Sequence, residues 1–173
     1  MLFSSYSFAL DSTNSVTNFS KEGDWLITEF AMKTQIVYRV SSTAINTNQS
    51  NIVFDYLPKN NCRPDPAILI NEQKKYISDL DRGMAALAYK VTGQTESMEI
   101  TKTAMQRNDK FAFFQFQRLT IDSLISSNNE GKLAIWVPAS FDGTVKRSPN
   151  VYFSLNGLSR ANQIAVDLCK KNF

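Results

Sequence analysis

The side chains in this sequence with chemistry to offer are few: two cysteines, Cys62 and Cys169, and a scatter of carboxylates. Histidine is absent from all 173 residues, which removes the commonest general base near neutral pH and the commonest protein metal ligand. Nucleophilic triads of the Ser-His-Asp or Cys-His type are thereby excluded. The cysteines stand far apart in the chain, so they form no Cys-x-x-Cys redox or zinc element, and without further ligands they make no four-ligand zinc site. They are either two buried thiols, as in an intracellular protein, or one disulfide formed in an oxidising compartment. The disulfide is the favoured reading, because Cys62 lies in the turn-rich run Asn60-Asn61-Cys62-Arg63-Pro64 and Cys169 sits near the end of the chain's last amphipathic segment. A loop of roughly 100 residues closed in this way is worth about 4 to 5 kcal/mol in the chain-entropy model.

Among the carboxylates, Asp79-Leu80-Asp81-Arg82-Gly83 offers a pair beside a glycine. A calcium loop needs more oxygen ligands at alternating positions and a closing glutamate, which are missing here, so the run reads as a turn in which Arg82 neutralises one aspartate. Glu96, Glu99, Asp109 and Asp122 are spread through strands and turns. Pairing between strands is the one route by which such residues would meet, and a carboxylate-dependent glycan hydrolase is kept as an alternative on that ground. The six glycines are isolated and none begins a phosphate-binding or dinucleotide pattern. No cofactor and no metal are expected, and the chain reads as a binding protein rather than an enzyme.

The elements that must position these residues are mainly strands. An apolar content of 43%, with 12% aromatic, suffices for one buried core. The net charge of +3 is dispersed, with no dense basic block, so neither nucleic acid nor a charged membrane surface is indicated as partner. No apolar run reaches the roughly 18 residues of a transmembrane helix. From Trp25 onward, short β-type runs alternate with polar turns, the pattern of an antiparallel β-sandwich or barrel-like sandwich. Strands are predicted over Trp25–Met32, Gln35–Ser42, Asn51–Tyr56, Ala67–Ile70, Ser97–Thr103, Lys110–Gln117, Leu119–Leu124, Lys132–Pro138 and Val151–Leu155. Turns fall at Thr47–Ser50, Arg107–Asp109, Asn128–Gly131 and Asp142-Gly143. The stretch Asn71–Lys90 is ambiguous: Tyr76, Leu80, Met84 and Leu87 have helical spacing, but Gly83 and the β-like neighbours favour strands, with Ile68–Tyr76 as a hairpin and Met84–Val91 as a buried strand.

Lys110-Phe111-Ala112-Phe113-Phe114-Gln115-Phe116 superficially matches the aromatic strand of an RNA-recognition domain. It lacks the glycine expected after the basic residue and has no partner motif upstream. Rings on both faces suit a central strand buried on both sides, so Phe113 is assigned to the core with Trp25 and Phe153. After Val151–Leu155, Asn156-Gly157 turns the chain into a helix whose apolar face is Leu158, Ala161, Ala165 and Leu168, with Arg160, Gln163, Asp167 and Lys170 turned to solvent. This helix is expected to pack on the sheet.

The opening residues are mildly apolar but lack a basic segment and are broken by serines. Residues 1–20 are therefore read as a flexible segment, in part the remnant of a signal peptide, ahead of a single β-rich domain over residues 21–173. Asn18-Phe19-Ser20 and Asn48-Gln49-Ser50 fit the glycosylation triplet, which arises often by chance.

Two segments carry a family resemblance. Gly23-Asp24-Trp25 looks like the start of an early strand, and Phe153-Ser154-Leu155-Asn156-Gly157-Leu158-Ser159-Arg160-Ala161 like the closing strand, glycine turn and helix, of the bacterial invasion-associated locus B family of envelope proteins. The middle of the chain departs from that family, whose members commonly carry more cysteines and a more glycine-rich core region. The resemblance implies a small, exported, mainly β protein, periplasmic or secreted, with no catalytic residues to carry over, and it favours the disulfide. The function expected is binding to a protein or envelope macromolecule, in host interaction or in envelope or secretion assembly. An immunity or inhibitor protein for a toxin enzyme is the alternative within the binding class.

Overall fold

The computed structural model describes residues 15–32, 35–47, 50–71, 84–92, 99–107, 111–116, 121–126, 131–139 and 151–172. Among them the strands are β1 (Ser15–Glu22), β2 (Trp25–Met32), β3 (Gln35–Thr43), β4 (Ser50–Tyr56), β5 (Pro64–Asn71), β6 (Met84–Thr92), β7 (Glu99–Arg107), β8 (Phe111–Phe116), β9 (Lys132–Ala139) and β10 (Val151–Ser154). The helices are α1 (Ile121–Ile125) and α2 (Leu158–Lys170), and a single 3-10 turn, Pro58–Asn60, leads into Cys62. All strand pairs are antiparallel, in the order β1-β2-β3-β4-β5-β8-β7-β6-β9-β10.

This long sheet turns back on itself. Trp25, Ile27, Tyr38, Val40, Ile52, Phe54, Tyr56 and Ile68 from one half share a core with Val91, Leu133, Ile135, Val151 and Phe153 from the other. Just beyond β3, the Ile45 N–H donates to the Tyr152 carbonyl at 2.8 Å, and the Tyr152 N–H donates to Asn46 Oδ1 at 2.9 Å, so β10 is tied to the far half. The outcome is a barrel-like sandwich with α2 laid on the inner face of β1 to β4, as the alternation of apolar residues predicts.

Several expectations need correction. Leu119–Leu124 is not a strand: Ile121–Ile125 is a helix, with Ile121 and Leu124 buried one turn apart and Asp122 and Ser123 exposed between them. A short apolar run fits either period, and here the three-residue spacing decided it. The boundary at residue 20 also fails, because Ser15–Glu22 pairs with β2 across the two-residue turn Gly23-Asp24. Polar residues there suggested a mobile tail, but an edge strand needs only backbone pairing on one side. On α2, the fully buried face is Leu158, Ala161, Ala165 and Cys169; Leu168 is only half-buried, at the flank. Cys169 continues the stripe four residues after Ala165, so the disulfide takes the place the pattern gave to Leu168. Arg160, Gln163, Asp167 and Lys170 are exposed. Met84–Thr92 is a strand. The run Asp79–Gly83, residues 72–76 of the hairpin expected over Ile68–Tyr76, Glu96, Asp109 and the turn Asp142-Gly143 lie outside the described residues. So does the side chain of Phe113, whose backbone in β8 pairs with Leu69 and Gln106.

Candidate functional site

The two motif-bearing segments meet at one corner. Gly23, in the turn between β1 and β2, has φ +55°, and Gly157, at the start of α2, has φ +87°. A Cβ on Gly23 would lie 2.5 Å from the Asn156 carbonyl oxygen, and one on Gly157 would collide with the Glu22 carbonyl, 2.6 Å from its carbon. Both positions need glycine twice over, for the left-handed backbone and for the close approach of the other turn. The contact is hydrogen-bonded: the Asp24 N–H donates to the Asn156 carbonyl and Trp25 Nε1 to the Ser154 carbonyl, each at 3.1 Å. Trp25 is fully buried, its ring 5.8 Å from that of Phe54, and Phe153 is fully buried as well.

The other end of α2 is fastened differently. Cys62 and Cys169 form a disulfide across a separation of 107 residues. Tyr56 donates to Asn162 Oδ1 at 2.7 Å, and Asn172 Nδ2 donates to the Tyr38 hydroxyl. Burial pushes the Tyr56 hydroxyl far above its ordinary pKa, with Asp122 and Asp55 adding to the shift; burial and then Glu29 raise Tyr38, against the hydrogen bond from Asn172. Both tyrosines serve as polar pins between sheet and helix.

The outer face of the sheet is different again. Residues directly opposite in an antiparallel pair share a face. Phe19 faces Thr28, Lys21 faces Leu26, and Val16 faces Phe30 beyond a bulge at Thr17. Arg39 and Asp55 face each other on the same side, in a bidentate pair of 2.6 and 2.8 Å, with the Arg39 guanidinium 5.2 Å from the Phe30 ring centroid. Asp65 stands opposite Asp55. This is where pairing brings two carboxylates together, but the fork of Arg39 holds Asp55 as an ion-pair partner, an arrangement that suits structure rather than proton transfer. Beside it lies an apolar stripe over β1 and β2: Phe19 is 71% exposed and Val16 56%, with Leu26 and Met32 also exposed. Large apolar side chains grouped on one solvated face are the common mark of an interaction site. The edge itself is blunted, since a bulge and a lysine both discourage a further strand from adding to β1. What is on offer is therefore the face of the hairpin.

Sequence reasoning located Cys62, Cys169, Trp25, Phe153, Gly157, Leu158 and Ala161 but assigned nothing to Phe19, Leu26, Arg39 or Asp55. A signal was present for the hairpin: Gly-Asp between two extended runs marks a two-residue turn. Among the described residues no cluster of three or more potential ligands is placed to hold a metal, and no helix is long and apolar enough to cross a membrane.

No protein-family model matches the chain, and no curated protein matches it in sequence. Among solved structures, the crystal structure of invasion associated protein B from Bartonella henselae is similar to it, with a TM-score of 0.57 at 13% identity, covering 90% of this chain and 99% of that one. The likeness is one of fold.

Proposed function

We propose that this chain is an exported bacterial envelope protein that acts by binding a macromolecule through the outer face of its β1–β2 hairpin, without catalysis of its own. The observation that carries the reading is the apolar stripe of Val16, Phe19, Leu26 and Met32, held on a rigid sheet and bordered by Lys21 and the Arg39–Asp55 pair. The disulfide supports export, since such bonds persist in oxidising compartments. The shared fold with invasion associated protein B supports an envelope or host-facing role. A rigid stripe of this kind contributes affinity through a few aromatic and aliphatic anchors, with the charged border setting orientation.

The test is binding of fluorescently labelled protein to intact host cells and to isolated bacterial envelope fractions, comparing the wild type with a Phe19→Ser/Leu26→Ser variant. Saturable binding to one of them that weakens at least tenfold in the variant, at unchanged thermal midpoint, is the expected result. Equal binding by the variant would remove the hairpin face from the proposal. Tight one-to-one association with a toxin enzyme, and with neither cells nor envelope, would establish the inhibitor reading in its place.

A further inference from the structure

The two ends of α2 are held by unlike means, and only one of them is chemically reversible. At its start, Leu158, Ala161 and Ala165 are buried, the Gly23–Gly157 contact locks the turn, and backbone bonds from Asp24, Leu155 and Leu158 reach Asn156, Gly131 and Leu155. Of residues 166–172, Cys169 is the single fully buried one; Val166 and Leu168 are half-buried against the core, and Asp167, Lys170, Lys171 and Asn172 are exposed. On the opposite side of the bond, Asn61 and Cys62 both have φ 54°, a left-handed conformation disfavoured for residues with a Cβ. The loop at Cys62 and the end of the helix are joined through the disulfide, while the helix end also rests on the core through Val166 and Leu168 and on β3 through the hydrogen bond from Asn172 to Tyr38.

We propose that Cys62–Cys169 is a redox-sensitive latch for the last turns of α2 alone. A dithiol reductant supplies the electrons: one of its thiolates attacks a sulfur of the bond and expels the other cysteine as a thiolate. The second thiol of the reductant then closes onto the mixed disulfide, so that two protein thiols and one reductant disulfide result, two electrons and two protons having passed to the protein. With the bond gone, Asn61 and Cys62 leave the left-handed region, residues 166–172 lift away, and the Tyr38 hydroxyl loses its partner. The first half of α2 and the Gly23–Gly157 corner stay closed. Both cysteines are buried in the closed state, so the latch yields to reductant through brief opening of the helix end, a local event of the kind that helix termini undergo without global unfolding.

Hydrogen exchange with mass spectrometry, on the oxidised protein and after treatment with dithiothreitol, tests this. Amides of residues 166–172 are expected to exchange at least tenfold faster after reduction, and at least tenfold faster than those of 158–165 and of β2, which quicken only as the global unfolding equilibrium shifts, and reoxidation is expected to restore the original pattern. A Cys62→Ser/Cys169→Ser variant without reductant should reproduce the reduced pattern. Unchanged exchange at 166–172 overturns the proposal, and so does exchange of β2 and β4 as fast as that of 166–172 after reduction, or failure of the double variant to fold, because each would mean that the bond either holds nothing locally or holds the whole domain.

Discussion

The Gly23–Gly157 corner and the outer face of the β1–β2 hairpin are neighbours in sequence, yet they stand at opposite extremes of packing. At the corner, backbone meets backbone, Trp25 spends its only polar hydrogen on the Ser154 carbonyl, and no space is left for even a methyl group. On the face, Phe19 and Val16 are left to water on a strand that the corner holds in place. The corner brings together the two segments on which the family resemblance rests, and Gly23, Trp25, Phe153 and Gly157 are all engaged in closing it. A likeness there reports a shared way of closing the sandwich. On the function proposed above, recognition of a partner would belong to the face, which has no motif.

The corner should therefore be the most sensitive part of the molecule. Gly157→Ala places a Cβ on the Glu22 carbonyl and forces a left-handed residue, and the second of these alone costs about 1 to 2 kcal/mol. With the displacement of the hairpin added, a loss on the order of 4 kcal/mol or outright unfolding is expected in urea titration. A loss below about 1 kcal/mol would mean that the two turns yield easily, and the contrast between corner and face would collapse. Removing the disulfide comes next, with an expected loss of about 2 to 4 kcal/mol, visible as a lowered thermal midpoint while the far-ultraviolet β signal persists below it.

A smaller effect is expected of the tyrosine pins, and pH separates it from the rest. Tyr56 and Tyr38 have folded-state pKa values raised above the ordinary 10.0. Their contribution is fully present below the unfolded value and is lost as pH rises from there towards the folded one, because the unfolded chain gives up the protons first. Stability should fall with pH above about 10. Tyr56→Phe should flatten that fall while costing about 1 kcal/mol at neutral pH, where Asn162 loses its donor. An equally steep alkaline fall in the variant would move its origin to other groups.

Much of this architecture was legible in the sequence, and the exceptions have physical causes. Alternation of apolar residues marked β2, β3 and β10, which have one face in the core and one nearer to solvent, while β4 and β9 showed as denser apolar runs and are buried on both faces. It missed β1, whose inner positions are polar and whose apolar residues face outward. Spacing at Leu158, Ala161 and Ala165 gave the helix face but placed Leu168 where Cys169 belongs, since hydropathy does not record that a cysteine is drawn inward by its partner. The Arg39–Asp55 pair and the meeting of Gly23 with Gly157 depend on register and on closure of the sheet, which bring together residues far apart in the chain. No local pattern encodes either one.

The smallest structural effect is expected where the functional one is largest. Phe19 is already 71% exposed, so Phe19→Ser forfeits little buried area and should change the unfolding free energy by less than about 0.5 kcal/mol. Thr28, directly opposite, keeps its backbone pairing, and the Gly23 turn fixes the register whatever side chain stands at position 19. If the hairpin face is the binding surface, the same change removes its largest anchor, and truncation of an aromatic anchor commonly costs 2 kcal/mol or more of binding, which is a roughly thirtyfold loss of affinity. Measuring urea stability and affinity on the same preparation decides the matter. Loss of both would mean that Phe19 is a structural residue and that the face differs from the corner only in degree; loss of neither would leave the apolar stripe as ordinary surface. Only an intact fold with impaired binding fits a molecule whose motif residues close the sandwich and whose motif-free face meets its partner.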